Sequence, residues 1–344
     1  MNNSNRRALD ITLAVEARAK YASMLSKDDR RRICSFSSGD ELVALLARSD
    51  GWRQAVRALP AIGATEAQFS AALDQELYGD FERLYRTASD TSKEFLRFMT
   101  LENELKAITA ALRRLISGAQ PPQPEGFPTA PGRLHGQEIA RLRNAKSFSE
   151  LVSLCSKSIY GPALRAMELD SKTGLPAYAD AALSLETEFH RALGTYLRRG
   201  YNGPARRTLI ETVGFRADML NVTYLLRLRR FNTPPEKAME LLLPLGELGQ
   251  STARKVLAAE TDEEAVEALK ASRAGKWLAG LGDTPAENLA ESAEEAYYRR
   301  VIHGPPTLCT VYAFLTLKEN EAAMLKRAFV ALGYGLSPEK YILL

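Results

Sequence analysis

The chain has 344 residues, 45% hydrophobic and 26% charged, which is ordinary globular composition and long enough for two or three hydrophobic cores. A formal net charge of +4 is too small for a dedicated nucleic-acid binder. Three cysteines (Cys34, Cys155, Cys309) and three histidines (His135, His190, His303) lie far apart, a pattern that argues against a zinc site and a disulfide framework and favours a reducing compartment.

The first residues, MNNSNRRALDI, lack the apolar core of a signal peptide. Over 10–26, Ala14, Ala17, Tyr21 and Leu25 mark one helical face, with Glu16 and Lys20 outside it. The run Asp28, Asp29, Arg30, Arg31, Arg32 mixes both signs within a turn and predicts local ion pairing. Ser37-Ser38-Gly39-Asp40 ahead of Glu41 and an apolar run reads as a helix start, with Asp40 as cap or first-turn acid. Similar starts return at Ser149-Glu150 and, more loosely, at Asp262 to Glu264. Glu41 to Glu150 is about 109 positions and Glu150 to Glu264 about 114.

Long amphipathic helices are predicted over 66–87, 177–199, 285–302 and 312–332, rich in strong helix formers. The prolines and glycines of 117–132 cannot continue a helix and predict a linker, and Phe231-Asn232-Thr233-Pro234-Pro235 makes a second break. Gly333 and Gly335 supply a helix stop, and Pro338 prevents a restart. Sustained strand alternation is missing, so the expected fold class is all-α.

A second feature recurs at nearly the same interval. Glu104 is followed by Ala107, Ile108 and Arg113; Asp218 by Asn221, Val222 and Arg227; Glu321 by Met324 and Leu325. The acids are about 114 and about 103 positions apart, which predicts three related helical units over 1–120, 133–235 and 236–344. Glu321 falls inside an apolar stripe, where a buried carboxylate needs a partner; a structural ion pair is favoured there over a catalytic acid.

The search for chemistry returns little. No G-x-x-x-x-G-K-[ST] and no G-x-S-x-G occurs. His190 reads as a packing or surface histidine, Cys155 as a buried thiol, Glu294-Glu295 as a solvated helix face and Gly304-Pro305-Pro306 as a turn between helices. The best low-charge run, 301–317, is too short for a membrane span of roughly 20 residues. We therefore expect no catalysis, no cofactor, no nucleic acid and no small-molecule substrate. Cations gather near the ends of the three recurring helices: Arg113 and Arg114; Arg227, Arg229 and Arg230; Lys326 and Arg327. Compensation of the helix dipole, worth about 0.3–1 kcal/mol, accounts for them as well as a surface for an acidic or carbonyl-rich partner does.

Tyr312, Lys318-Glu319, Glu321, Met324-Leu325 and Gly333, ending in Ser337-Pro338-Glu339 and Ile342, resemble the C-terminal signature of the d-type subunit of V-type ATPases, named the C-type subunit in archaeal and bacterial enzymes. Asp218, Asn221-Val222 and Arg227 are similar to that family's middle unit, and Ala17-Arg18 with Met24-Leu25-Ser26 to its opening helix. Met324 and Ala107 stand where the family often has Asn, and the 117–132 insert departs from its pattern. The resemblance implies a funnel of three similar helical domains about a pseudo-three-fold axis, one copy per complex. It implies a non-catalytic rotor part on the cytoplasmic face of the membrane, peripheral, between a c/K-type rotor ring and central stalk subunits of D and F type. A soluble α-helical adaptor for other partners is the alternative, although solenoid repeats run about 20–50 residues rather than near 100.

Overall fold

The computed structural model describes residues 3–119, 141–142, 144–279, 281 and 288–342, and among these there are helices and no strand. The described residues up to Leu96 and from Ile302 onward form one compact unit, and those from Arg97 to Val301 another. The expected 117–132 linker lies outside the described residues from position 120.

In the first unit the central element is the helix Leu308–Gly333. It starts four residues before the predicted 312–332 because Thr307 caps it, accepting the Cys309 N–H at 3.2 Å. From Leu308 to Lys318 every side chain is buried, as expected of a helix that is apolar all round. The helices Asn3–Ala22 and Glu66–Thr87 pack along it. Glu66–Thr87 matches its predicted span because Thr65 and Gln68 form a capping box, with Gln68 N donating to Thr65 Oγ1 at 3.2 Å and Thr65 N to Gln68 Oε1 at 3.0 Å. The short helices Lys27–Ile33, Gly39–Leu46 and Arg53–Val56 close the core, where Phe69 and Phe329 stack at 4.2 Å. Arg18 donates to the carbonyls of Ile302 (2.8 Å) and Gly304, placing a cation at the negative end of the helix Leu289–His303. Gly304-Pro305-Pro306 is the turn between that helix and Leu308–Gly333, as its composition predicts.

The second unit is built on the helices Tyr178–Gly200 and Gly203–Arg230, with Phe148–Leu154, Gly161–Arg165, Gln250–Ala258 and Asp262–Lys270 around them. Tyr160 donates its hydroxyl to the Leu101 carbonyl at 2.8 Å, and Tyr298 to that of Thr212 at 3.2 Å. Phe215 and Tyr297 stack at 4.0 Å.

Two expectations are corrected. Glu294-Glu295 is not a solvated face: Glu294 is buried 3.9 Å from Arg216 Nε, Arg216 also reaches Glu102 at 2.9 Å, and Glu295 accepts from Arg299 at 2.6 Å. A half-buried arginine is stabilised by nearby carboxylates, and the helix turns its acidic side toward Arg216. The acid–base run near residue 30 is only partly local. Arg31 pairs with Asp28 at 2.9 Å, but Arg30 points inward.

Candidate functional site

One local structure occurs three times. Ser38, Ser147 and Thr261 are N-caps whose hydroxyls accept the backbone N–H of Glu41 (3.4 Å), Glu150 (3.1 Å) and Glu264 (3.2 Å). Each glutamate reaches back, accepting the N–H of Ser37 (2.6 Å), Lys146 (2.8 Å) or Glu260 (2.9 Å). The cap thus satisfies N–H groups that a helix start leaves without partners. Five residues before each cap lies a fully buried aliphatic side chain: Ile33, Leu142 and Val256. Eleven residues after each cap lies a serine, Ser49, Ser158 or Ser272. Its carbonyl accepts the N–H three positions on, from Trp52 (3.2 Å), Gly161 (3.2 Å) and Gly275 (3.0 Å). A Cβ at Gly161 would stand 2.5 Å from the Cys155 carbonyl oxygen, and one at Gly275 only 1.9 Å from that of Leu269, so the backbone there admits glycine.

The three acid-bearing helices share a second register. Glu104, Asp218 and Glu321 are 3%, 3% and 2% exposed. Fourteen residues after each acid comes a left-handed residue: Gly118 (φ 68°), Asn232 (φ 50°) and Gly335 (φ 67°). The same pair of bonds closes every helix: Gly118 N to Leu115 O and Ala119 N to Arg114 O; Asn232 N to Arg229 O and Thr233 N to Leu228 O; Gly335 N to Leu332 O and Leu336 N to Ala331 O. This is the Schellman pattern, which satisfies carbonyls that the helix end leaves open.

The acids hold neighbouring backbone. Glu321 accepts from the Leu25 N–H (3.2 Å), the Arg30 guanidinium (3.2 Å) and the Trp52 indole N–H (2.8 Å). It is therefore in a structural ion pair, as expected from the sequence. One turn earlier, the buried Lys318 donates to the Gly51 carbonyl at 2.7 Å and lies 3.5 Å over the Trp52 ring; burial pulls its pKa down against the opposing pull of Glu321. Asp218 accepts the N–H groups of Glu247 and Leu248, both at 2.8 Å, and burial pushes its pKa up to about 6. Leu25 and Leu248 each stand thirteen residues before their cap, so the two acids grip equivalent points. Asn221 adds a two-way clamp, donating to the Leu243 carbonyl (3.2 Å) and accepting its N–H (2.8 Å). Glu104 is bonded to the Ser158 side chain, and burial raises its pKa.

Oxygens committed to fixed structural donors serve as staples. Cys155 is buried as expected and His190, of its two readings, takes the packing one; burial lowers the histidine's pKa to about 4 and raises the thiol's to about 12. Among the described residues, no group of three or more His, Cys, Asp or Glu is placed to hold a metal ion, and no helix is long and apolar enough to cross a membrane.

The seven helix-end cations divide by environment. Arg114 donates to the Ala145 carbonyl, and Arg229 to those of Ala259 and Glu260, each at 3.3 Å. Ala145 and Ala259 each precede a cap by two residues, so these arginines tie a helix end to the next capping module. Asp262 takes both Arg229 and Arg230, the latter at 2.8 Å. Arg113 donates to Tyr178 Oη at 2.8 Å, and Lys326 pairs with Asp74 at 2.7 Å. Arg327 is half-buried; Arg113, Arg227 and Arg230 are exposed. The structure therefore brings Arg227, Arg229 and Arg230 together at one helix end. Sequence reasoning missed Arg30, Trp52 and Lys318 around Glu321, although Lys318 stands one turn before it on the same apolar face.

A family model described as ATP synthase (C/AC39) subunit matches residues 13–341. A protein named as the C-type subunit of an A-type ATP synthase, from Pyrococcus abyssi (strain GE5 / Orsay), is 23% identical over 280 residues, which cover 78% of this chain and 72% of that protein. All three capping modules and all three buried acids lie inside the matched span.

Proposed function

The chain belongs to the ATP synthase (C/AC39) subunit family, and from that premise we propose that it is the non-catalytic part coupling a membrane rotor ring to the central stalk. In this reading, three helical units over 1–120, 133–235 and 236–344 form a funnel about a pseudo-three-fold axis. Its closed side docks peripherally on the cytoplasmic face of a c/K-type ring, and its socket receives stalk subunits of D and F type, one copy per complex. The observation that carries it is the threefold recurrence of cap, serine turn, buried acid and left-handed helix stop within the family match. Torque transmission needs stiff, similar modules with distributed contacts, and a repeated set of buried polar staples supports that stiffness.

Affinity purification of the full chain from its native membrane fraction tests the reading. Co-recovery of both rotor-ring and stalk subunits is expected. Recovery of soluble proteins alone would sink it in favour of the adaptor alternative. Of the helix-end cations, Arg113, Arg227 and Arg230 are the proposed contact residues because they are exposed, whereas Arg114, Arg229, Lys326 and Arg327 are half-buried.

A further inference from the structure

Within the second unit, the end of Gly203–Arg230 combines an exposed ring, a fixed backbone and an exposed arginine, Arg227, that forms no ion pair among the described residues. Phe231 caps this helix and is 80% exposed, the most exposed large hydrophobic side chain among the described residues. Stopping the helix does not require a phenylalanine. The stop is made by Asn232 in the left-handed region and by bonds from Phe231 N to Arg227 O, Asn232 N to Arg229 O and Thr233 N to Leu228 O, followed by Pro234 and Pro235. Any polar residue would serve at position 231 without exposing a ring to water. These bonds fix the Cα–Cβ direction of Phe231, so the backbone needs no further ordering if a partner covers the ring. The equivalent residue of the third recurring helix, thirteen positions after its acid, is also an exposed aromatic: Tyr334, at 78%. Ser117 stands there in the first.

The arginines beside Phe231 are unequally paired. Asp262 serves both Arg229 and Arg230, and Arg227 is exposed and forms no ion pair among the described residues. Exposed aromatics beside arginine are the residues enriched at protein interfaces, and the planar fork of arginine suits bidentate pairing with carboxylates.

We propose that Phe231, flanked by Arg227 and Arg230, anchors a docking surface for a protein partner that offers an apolar pocket rimmed by carboxylates. This rests on the coupling role above, which takes the partner from the same complex. The test uses tagged full-length chain recovered from native membranes, with each ATP synthase subunit quantified over a salt series. Phe231→Ala should lower retention of one subunit at least about tenfold without changing the chain's melting temperature. Arg227→Glu should do the same and Arg227→Lys much less; the wild-type contact should weaken with salt. A photo-crosslinking phenylalanine analogue at position 231 should label that subunit next to Asp or Glu.

Unchanged retention for both Phe231→Ala and Arg227→Glu overturns the proposal and leaves the coupling role standing. Failure of the wild-type chain to retain any ATP synthase subunit overturns both. An anionic membrane would use the same chemistry. If the two variants lose binding to phosphatidylglycerol vesicles while keeping every subunit, the surface belongs to lipid and the proposal is wrong.

Discussion

Glu321 accepts the indole N–H of Trp52 at 2.8 Å, across 269 positions of sequence. With the Arg30 and Leu25 contacts of the same carboxylate, the bond fastens the early short helices to the last long one. Asp218 does the equivalent work for the backbone just before Gln250–Ala258 without any cation. Conserving the acid's task does not conserve its partners, and different sensitivities to mutation and pH follow.

Glu321→Gln keeps an acceptor for Trp52 but removes the carboxylate charge that pairs with the buried Arg30 guanidinium at 3.2 Å. A loss of about 3 kcal/mol is expected, by analogy with other broken buried pairs. Trp52→Phe removes one donor and part of the core volume, at about 1–3 kcal/mol. Urea unfolding of the full chain measures both. A Glu321→Gln loss below about 1 kcal/mol would mean that the carboxylate is not the staple.

Gly246 and Gly249 lie three residues apart and should respond oppositely to alanine. At Gly246 φ is +122°, and an added Cβ would stand 2.2 Å from Asp218 Oδ1. The side chain would push the carboxylate off its two N–H donors, costing about 3 kcal/mol or more. A Cβ at Gly249 meets no atom within 4 Å, so Gly249→Ala should stay within about 1 kcal/mol, the scale of a weakened cap. Equal losses at the two sites would remove the staple from Asp218.

Two buried groups of the second unit tilt stability in opposite directions with pH. Asp218 rises from 3.8 to about 6 on folding, so its native form holds a proton that the unfolded chain has released; its contribution is full below pH 4 and is lost as pH climbs through 6. His190 falls from 6.5 to about 4, so the unfolded chain binds the extra proton and stability grows with pH over that interval. Each slope is at most about 1 kcal/mol per pH unit, and in the wild type they largely cancel between pH 4 and 6. Asp218→Asn should expose the histidine's rising slope, and His190→Phe the aspartate's falling one. Chemical denaturation at pH 4, 5 and 6 reads the difference, and parallel profiles for all three proteins would contradict it.

Much of this is legible in the sequence because side-chain pattern reports on burial. The 66–87 helix carries its cap in Thr65 and its stripe in Phe69, Leu73 and Leu84, and its span follows from them. Glu41, Glu150 and Glu264 recur because each is half of a capping interaction, and Glu104, Asp218 and Glu321 because each is a buried acid. Ser49, Ser158 and Ser272 escape notice because their shared contact is made by the carbonyl, to which the side chain gives only a faint clue. Arg30 reads as locally paired and Glu294 as solvated, whereas the partners chosen, Glu321 and Arg216, come from distant segments. The helix-end cations are a single class by sequence; only packing separates Arg229, fastened beside a cap, from exposed Arg227.

The three capping modules give the sharpest test of equivalence. If they are copies of one device, deleting the cap hydroxyl should cost the same in each: Ser38→Ala, Ser147→Ala and Thr261→Ala should lose about 1 kcal/mol apiece. In every case one backbone N–H loses its acceptor while the glutamate stays bonded to the residue before the cap. Removing the glutamate instead, as Glu41→Ala, Glu150→Ala and Glu264→Ala, should again give three losses of similar size, since each carboxylate accepts an N–H four positions back at 2.6–2.9 Å and Glu41 adds only exposed contacts to Ser38 N (3.2 Å) and Ser37 Oγ (3.3 Å). Similar bonds in unlike surroundings would give unlike costs, because the cost of a lost cap depends on how tightly the following helix is packed. Two matched sets of losses would tie the recurrence to shared packing as well as shared local geometry. A spread of several-fold within either set would reduce it to a common helix start used three times.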